Sequence, residues 1–320
     1  MYLYGSPFYV EAHGFNRGIR NIFSDLDFSP GVIQTCHGEN VAEKIALVTG
    51  SSSGIGLLTA VELARAGFRV VASMRDLGRR QRLDEAAAKA DVAGRIDVRR
   101  LDITEIAGVP AFVAQLDRDY GRLNVLVNNA GFATAGFAED LLLEELRQQF
   151  ETNFFGQVAV TKAVLPIMRR QQSGHIIMVS SIGGRVSAPV IGAYDASKFA
   201  LEGWSESLRI ETRALGIHVV LVEPGSFQTD IWQRNVRIGS YAMDRSSPNH
   251  QRAGRFSEAV KKVRKADPQP VARLIARIAR NPNPRLRYRV GFDAHLQFWL
   301  HSLLPWKAYE KLVVRATKIG

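Results

Sequence analysis

The stretch that decides the fold reads Ile45-Ala46-Leu47-Val48-Thr49-Gly50-Ser51-Ser52-Ser53-Gly54-Ile55-Gly56-Leu57. Its first part is apolar, as in a parallel strand that is covered on both faces. Leu57 then opens a run with the spacing of an amphipathic helix. Glycines between a strand and a helix let the backbone turn tightly and approach a pyrophosphate, and the helix N-terminus offers free N–H groups to it. In this context the pattern favours dinucleotide binding over a purely structural turn.

From Lys44 onward, short apolar runs alternate with helical patterns, which predicts a doubly wound α/β sheet. After the first strand, the predicted strands lie at residues 69–72, 98–101, 125–127, 175–179 and 218–222. Arg99 and Arg100 make the second of these runs the least regular. A late run at 286–290 alternates apolar and basic residues and is a candidate final strand. Asp267-Pro268 is typical of a helix start, with Asp as the N-cap and Pro at the first helical position.

Tyr194 and Lys198 lie four residues apart in Tyr194-Asp195-Ala196-Ser197-Lys198. On a helix this spacing places both side chains on one face. An ammonium close to a phenol favours the phenolate, which predicts a lowered tyrosine pKa suited to proton transfer. Taken alone, the pair is also common on ordinary helix surfaces.

The glycine spacing Gly-x-x-x-Gly-x-Gly after Thr49, together with Tyr194-x-x-x-Lys198, resembles the short-chain dehydrogenase/reductase family in its single-domain form. The resemblance covers about residues 44–229, with the motifs in the family's order. The sequences Val-Glu-Pro-Gly at residues 222–225 and Met-Arg-Asp-Leu at 74–77 are most similar to the retinol- and 17β-hydroxysteroid-dehydrogenase-like branch. The resemblance implies one Rossmann-type domain at residues 41–320, with helices on both faces of the sheet and a substrate lid at 226–265.

The resemblance also implies a catalytic set of Asn153, Ser181, Tyr194 and Lys198. Tyr194 would exchange a proton with the carbonyl oxygen, Lys198 would lower its pKa and hold the nicotinamide ribose, and Ser181 would position the carbonyl. Asn153 would hold a water that passes protons from Lys198 to solvent. Asn153 could instead be a simple buried hydrogen-bonding residue.

Cofactor contacts follow from the same resemblance. They fall on the glycine turn, on the ends of the next strands, on the catalytic pair and on the segment after residue 223: Thr49, Gly50, Ser52, Ser53, Gly54, Ile55, Gly56, Arg75, Asp102, Ile103, Asn129, Ala130, Gly131, Tyr194, Lys198, Pro224, Gly225, Phe227 and Thr229. No metal ligand is predicted.

Arg75 bears on the choice of cofactor. An acid at the end of the second strand usually binds the adenosine 2′-hydroxyl of NAD, but Met74 occupies that position and Arg75 follows it. A guanidinium can pair bidentately with a 2′-phosphate, so NADP(H) is predicted over NAD(H). Asp76 leaves an alternative open, because a shift of one residue in the turn would bring its carboxylate near the ribose.

The two ends of the chain differ from its middle. Residues 1–40 lack a clear period and are predicted to be a poorly ordered extension, or a translated leader if Val41 is the natural start. Residues 296–319 carry aromatic and apolar side chains that could cover the substrate pocket, form a dimer surface or touch a membrane. Ordinary packing is the interpretation that the sequence favours for them.

Composition limits the classes of function. The hydrophobic fraction is 46% and no apolar run approaches the roughly 20 residues that cross a bilayer. Cys36 is the only cysteine of the 320 residues, which excludes an internal disulfide and fits a cytoplasmic location. The net charge of +11 has no zinc-finger spacing or aromatic-interleaved basic ribbon beside it, so nucleic acid is not an expected partner. By analogy with the family, a homodimer or homotetramer is expected.

These features predict an oxidoreductase that interconverts a ketone or aldehyde and an alcohol with NADP(H). An NADP-binding regulatory or scaffold protein without turnover is the alternative, which the intact catalytic set disfavours. A sugar epimerase or dehydratase shares Tyr-x-x-x-Lys, but such proteins usually carry a different glycine spacing and a larger C-terminal domain.

Overall fold

Parallel strands form the centre of the protein. The computed structural model describes residues 43–232, 235–242, 244–261 and 265–320. Within these residues the main sheet has seven strands: β1 (Ile45–Thr49), β2 (Arg69–Met74), β3 (Ile96–Arg100), β4 (Val125–Asn128), β6 (Gly174–Val179), β7 (Ile217–Pro224) and β9 (Arg287–Val290). Their order across the sheet is β3-β2-β1-β4-β6-β7-β9, with every pairing parallel. Two short strands, β5 (Ala133–Ala135) and β8 (Val236–Ile238), pair with each other.

Helices cover both faces of the main sheet. Those of the described part are α1 (Gly54–Arg65), α2 (Gln81–Lys89), α3 (Val109–Tyr120), α4 (Leu143–Phe150), α5 (Gln157–Gln171), α6 (Gly192–Thr212), α7 (His250–Lys261), α8 (Gln269–Ile278), α9 (Phe292–Leu303) and α10 (Trp306–Thr317). Helices α1, α2 and α8 pack on one face, and α3, α5 and α6 on the other. Within β1, Ala46 and Val48 join the first core and Ile45 and Leu47 the second. The predicted doubly wound fold is confirmed.

The irregular predicted strand lies at the edge of the sheet. β3 starts at Ile96, two residues before the predicted start, and pairs with β2. Its charged residues have partners: Arg99 Nη1 lies 2.6 Å from Asp119, and the Tyr120 hydroxyl donates to Asp97 over 2.8 Å. An edge strand tolerates such half-exposed side chains, which explains its mixed pattern.

The predicted last strand is also present, as β9 beside β7. Its basic residues face a buried acid, because Arg287 Nε and Arg289 Nε lie 3.1 and 3.2 Å from the two carboxylate oxygens of Glu223. Glu223 is fully buried in β7. Buried charge of this kind needs close partners. Pairing with Glu223 therefore accounts for the alternation of apolar and basic residues in β9.

Helices α4 and α5 are joined without a break by a π-helical turn, Glu151–Gly156. A Cβ at Gly156 would lie 2.8 Å from the carbonyl oxygen of Ile103, so a larger residue would push the turn away from the loop after β3. Such turns are rare and occur often at functional sites. This one carries Asn153.

The C-terminal helices differ in part from the prediction. Among the described residues, no helix combines the length and the apolar character needed to cross a membrane. Tyr309 is buried and Phe298 packs beside it in a small core, as the prediction of ordinary packing requires. Trp299, Leu303 and Trp306 are exposed instead, so that prediction is wrong for them.

Helix α8 begins at Gln269, one residue later than predicted. The N–H of Gln269 donates to the Asp267 carboxylate at 2.9 Å.

Two leucine substitutions test the assignment of core and surface. Leu126 in β4 is fully buried, whereas Leu143 at the start of α4 is exposed. We expect Leu126→Ala to lower the free energy of unfolding by about 2–5 kcal/mol, because it removes apolar contacts and leaves a cavity. Leu143→Ala should change it by less than about 0.5 kcal/mol. Denaturant unfolding measures both, and equal effects would contradict the assignment.

Candidate active site

The carboxyl ends of the central strands open into one cavity of about 410 Å³. This volume lies within the range of roughly 300–1,000 Å³ that is usual for small-molecule sites. Ser181, Tyr194 and Lys198 line the cavity, and Asn153 lies behind its wall. All but two of the predicted cofactor-binding residues also line it: Gly50, Ser52, Ser53, Gly54, Ile55, Arg75, Asp102, Ile103, Asn129, Ala130, Gly131, Tyr194, Lys198, Pro224, Gly225, Phe227 and Thr229.

The glycine turn forms part of the cavity wall. Gly50 has a φ of +68° and a Cβ there would lie 2.7 Å from the Cα of Ala130. Gly54 has a φ of +55° and begins α1, so the helix N-terminus points into the same space. Only glycine combines this backbone with so close an approach. The turn therefore offers backbone N–H groups and the positive end of a helix, which suit a pyrophosphate.

Thr49 and Gly56 are the two predicted cofactor residues that do not line the cavity. The Thr49 hydroxyl accepts hydrogen bonds from the N–H groups of Asn129 and Ala130 at 3.0 and 3.1 Å. The Asn129 amide donates in return to the carbonyls of Thr49 and Gly50 at 2.9 and 3.1 Å. At Gly56 a Cβ would lie 2.3 Å from that same amide nitrogen. These contacts lock the glycine turn against the loop after β4, and direct cofactor contact by the two residues stays a prediction.

Two arginines line the cavity beside the end of β2, the strand next to β1. Met74 is buried there, Arg75 follows with an exposed side chain, and Arg75 Nε lies 4.0 Å from Asp102. Arg79 lines the cavity as well, although it was not predicted. The carboxylate of Asp76 accepts the N–H of Gly78 at 2.9 Å and lies 3.7 Å from Arg79 Nε. It is therefore engaged within its own turn, while both guanidinium groups could bind a phosphate.

Asn153 is fully buried in the π-helical turn. Its amide nitrogen donates to the carbonyl of Phe132 at 3.0 Å and to the Ser197 hydroxyl at 3.2 Å, and its amide oxygen accepts the N–H of Phe132 at 3.1 Å. Both amide hydrogens are thus in use. The side chain joins α6, which carries Tyr194 and Lys198, to the loop after β4.

Ser181 and Tyr194 meet in the cavity. The Ser181 hydroxyl hydrogen-bonds Tyr194 and also accepts the N–H of Gly183 at 3.0 Å. Burial raises the pKa of Tyr194 above its ordinary value, and the negative charge of Asp195 acts in the same direction, while the bond to Ser181 opposes them. The prediction of a lowered pKa is therefore wrong for the protein's own side chains. Lys198 Nζ lies 5.8 Å from the centre of the phenol ring, and burial is the largest cause of the shift in the pKa of Tyr194.

Lys198 is buried and its ammonium nitrogen donates to the carbonyl of Val179 at 2.8 Å. Burial lowers the pKa of Lys198 to about 8, and the charge of Glu202 one turn later acts against this. Glu202 is itself buried, and its carboxylate lies 3.0 Å from Arg287 Nε. Tyr194 thus keeps its proton at neutral pH, and Lys198 is poised to titrate just above it.

Asp195, beside the tyrosine, is a second buried acid. One carboxylate oxygen accepts the N–H of Ala188 at 2.8 Å. The other oxygen lies so close to Gly183 that a Cβ on that residue would be 2.3 Å from it. Burial raises the pKa of Asp195 to about 7, although the bond from Ala188 opposes the rise. Asp195 therefore carries a proton through much of the acidic range.

The sequence missed several residues of the cavity wall. Phe132 directly follows Gly131, a predicted cofactor contact, so its position was an available signal. Asn235, Val236 and Arg237 lie within the predicted lid but were not predicted individually, and they reach the wall because β8 pairs with β5. The Arg237 guanidinium lies 4.3 Å from the centre of the Phe132 ring. Nothing local in the sequence indicates this pairing of two three-residue strands.

Comparison with known proteins agrees with the geometry. Residues 44–237 match the short chain dehydrogenase family. The chain belongs to the short-chain dehydrogenase/reductase family. Relatives that it matches are named as oxidoreductases and dehydrogenases, and the chain is a short-chain dehydrogenase of the kind that acts on CH–OH groups.

Two relatives and one solved structure illustrate this membership. The chain is 42% identical to the "uncharacterized oxidoreductase YusZ" of Bacillus subtilis, over 85% of this chain and 97% of that protein. It is 42% identical to human "retinol dehydrogenase 8", over 59% of this chain and 60% of that protein. A metagenomic short-chain oxidoreductase solved in complex with NADP has a TM-score of 0.62 and 26% identity, over 77% of this chain and 96% of that one. These likenesses place the chain in the retinol-dehydrogenase-like branch and support the use of a nicotinamide cofactor.

The buried acid beside Tyr194 gives a prediction for stability. The pKa of Asp195 is about 7 in the folded protein and ordinarily 3.8, so the folded state binds this proton more tightly than the unfolded chain. The resulting stabilisation is present below the ordinary pKa and is lost as the pH rises through about 7. We expect the melting temperature of the unaltered protein to fall relative to that of Asp195→Asn as the pH is raised from about 4 to about 8.

Asp91→Asn is the matched control, because Asp91 is exposed. It should follow the unaltered protein across the same pH series. A constant difference between the unaltered protein and Asp195→Asn would mean that Asp195 does not titrate in this range.

Proposed function

We propose that the protein interconverts a ketone or aldehyde and an alcohol with NADP(H), using Tyr194 as the general acid and base. One observation carries the proposal. Ser181, Tyr194 and Lys198 line the same cavity as the glycine turn and the two arginines beside β2. Among the described residues, a hydroxyl, a phenol and an ammonium come together at only one part of the cavity wall. A dinucleotide that spans the cavity would place its nicotinamide end there.

The residues present fit such a cofactor. The glycine turn presents its backbone to the cavity with no side chain at Gly50 or Gly54, and Thr229 lies close by, since a Cβ at Gly54 would lie 3.5 Å from its side chain. Pyrophosphate would be held by the turn and the N-terminus of α1, and the nicotinamide end by Lys198 and the segment that contains Gly225. When bound, the nicotinamide supplies or accepts the hydride.

Each catalytic side chain then has a defined task. Burial keeps the Tyr194 hydroxyl protonated, so it can give its proton to a carbonyl oxygen during reduction and take it back during oxidation. Ser181 would hydrogen-bond the same oxygen and hold it against the phenol. Lys198, with a pKa of about 8, can replace the lost proton. Because both amide hydrogens of Asn153 are in use, the water that we assign to it would be held by its main-chain carbonyl.

The two arginines support NADP(H) over NAD(H). Their guanidinium groups are exposed at the end of β2, where Met74 stands in place of an acid, and they could share a 2′-phosphate. Asp76 faces Arg79 and the Gly78 N–H rather than standing free for a ribose hydroxyl. The NADP complex of the metagenomic relative agrees with this preference.

The proposed lid, residues 226–265, would cover the substrate. In its described part, Ile231, Val236 and Arg237 line the cavity. A small-molecule carbonyl or alcohol would bind between these residues and Tyr194. Exposed apolar side chains at Phe155, Phe199 and Ile210, near or on the helices that carry Asn153 and Tyr194, support a homodimer or homotetramer through those helices.

Removing the phenol hydroxyl tests the proton transfer. We expect Tyr194→Phe to reduce NADPH-dependent turnover of a carbonyl panel by at least about 100-fold while NADPH still binds, because the ring remains and the proton is lost. Tyr120→Phe, far from the cavity wall, is the control and should keep its turnover. Unchanged turnover in Tyr194→Phe would reject the assignment. Tight NADPH binding by the unaltered protein with no turnover on a broad panel would favour a binding protein without catalysis.

The cofactor preference has its own test. Arg75→Ala and Arg79→Ala should each raise the KM for NADPH by about tenfold or more and leave the KM for NADH nearly unchanged, because a charged hydrogen bond to phosphate is worth roughly 1.5–3 kcal/mol. Arg147→Ala, an exposed arginine of α4, should change neither value. Equal effects on both cofactors would remove the two arginines from the 2′-phosphate.

A further inference from the structure

Helix α9 presents an apolar row to solvent. Phe292, Leu296, Trp299 and Leu303 are 83, 45, 54 and 73% exposed. Their spacing of four, three and four residues places them along one face of a helix. Trp306, at the start of α10 and 64% exposed, follows the row directly. We call these five side chains the C-terminal apolar surface.

The opposite side of α9 fixes this surface in place. Ala294 is fully buried, and Phe298 packs in the small core that contains Ile182. The Arg289 guanidinium lies 3.6 Å from the centre of the Phe298 ring. Because the opposite side of α9 is the one that packs in the core, the exposed row makes no contribution to that core. The contacts of the buried side keep the exposed row facing solvent.

Helix α10 adds a row of positive charge. Lys307, Lys311 and Arg315 are exposed and spaced by four residues, which places them along one face. None of them has an ion-pair partner within the described part of the chain. Glu310 is the single acid in α10. A row of cations next to exposed tryptophan, phenylalanine and leucine is the pattern of a helix that lies in a lipid–water interface.

We propose that the C-terminal apolar surface docks on an anionic lipid bilayer. Its apolar side chains would enter the boundary between headgroups and acyl chains, and the cations of α10 would face the anionic headgroups. Each of the two helices has 12 residues, about 18 Å in length, so they would lie on the membrane rather than span it. The protein's net charge of +11 acts in the same direction.

Charge also favours a bilayer over a second copy of the chain. A two-fold interface brings the same patch of both copies together, so the cationic rows of α10 would approach each other. An anionic surface neutralises them instead. Docking would also bring the cavity close to the lipid, because the Asp293 carboxylate at the start of α9 accepts the N–H of Ser226 at 2.6 Å, next to the cavity residue Gly225.

Vesicle sedimentation of the full chain tests the proposal. Vesicles of phosphatidylcholine with roughly one part in three phosphatidylglycerol should bind the protein at least about tenfold more tightly than pure phosphatidylcholine, since each basic residue near an anionic surface adds to the attraction. Trp299→Ser with Leu303→Ser should lower the affinity by about tenfold or more. Lys307→Gln, Lys311→Gln and Arg315→Gln together should bring it down to the level of neutral vesicles.

The matched control is Ile106→Ser with Leu143→Ser, two exposed apolar residues outside this surface, which should bind like the unaltered protein. NADPH binding and the melting temperature report whether each variant is folded. The lysine and arginine variants test the proposal even if the Trp299 variant does not fold, because they change only exposed side chains. Absence of binding, or equal binding to neutral and anionic vesicles, would overturn the proposal. So would a Trp299 variant that turns an oligomer into a monomer in light scattering while vesicles do not bind.

Discussion

The hydrogen bonds between Thr49 and Asn129 are the constraint on which the site depends. They join the end of β1 to the end of β4, which are neighbours in the sheet but lie 80 residues apart in the chain. Because the Asn129 amide packs against Gly56, the same contact sets the path of the glycine turn and the start of α1. The loop that continues from Asn129 reaches Phe132, whose main-chain N–H and carbonyl both hydrogen-bond the side-chain amide of Asn153. A single chain of contacts thus runs from the glycine turn to the helix that bears Tyr194.

Burial sets the protonation of the ionisable side chains around Tyr194. The phenol, the ammonium and the neighbouring acids are all removed from water, and each is shifted toward its neutral form by desolvation. A tyrosine and a lysine at the same spacing on an exposed helix surface would not be shifted by desolvation in this way. The hydroxyl of Tyr194 is therefore a proton donor at rest, and any increase in its acidity must come from charge that enters the cavity.

Local patterns in the sequence were enough to predict the fold and most of the site. The strand–turn–helix of residues 45–57 and the pair at 194 and 198 each depend on residues close together in the chain, so their spacing carries the geometry. What could not be predicted depends on contacts between distant segments. The π-helical turn ends at Gly156, which lies against the loop after β3, and Arg237 reaches the cavity through the pairing of two very short strands. Arg79 follows a turn whose shape Asp76 sets by accepting the Gly78 N–H.

The central claim is that one dinucleotide spans the cavity from the arginines beside β2 to Tyr194. The most direct measurement is a crystal structure of the protein with NADPH. We predict the 2′-phosphate within hydrogen-bonding distance of Arg75 or Arg79, and the nicotinamide end in contact with Tyr194 and Lys198. A dinucleotide bound outside this cavity, or one whose nicotinamide end lies away from Tyr194, would contradict the account.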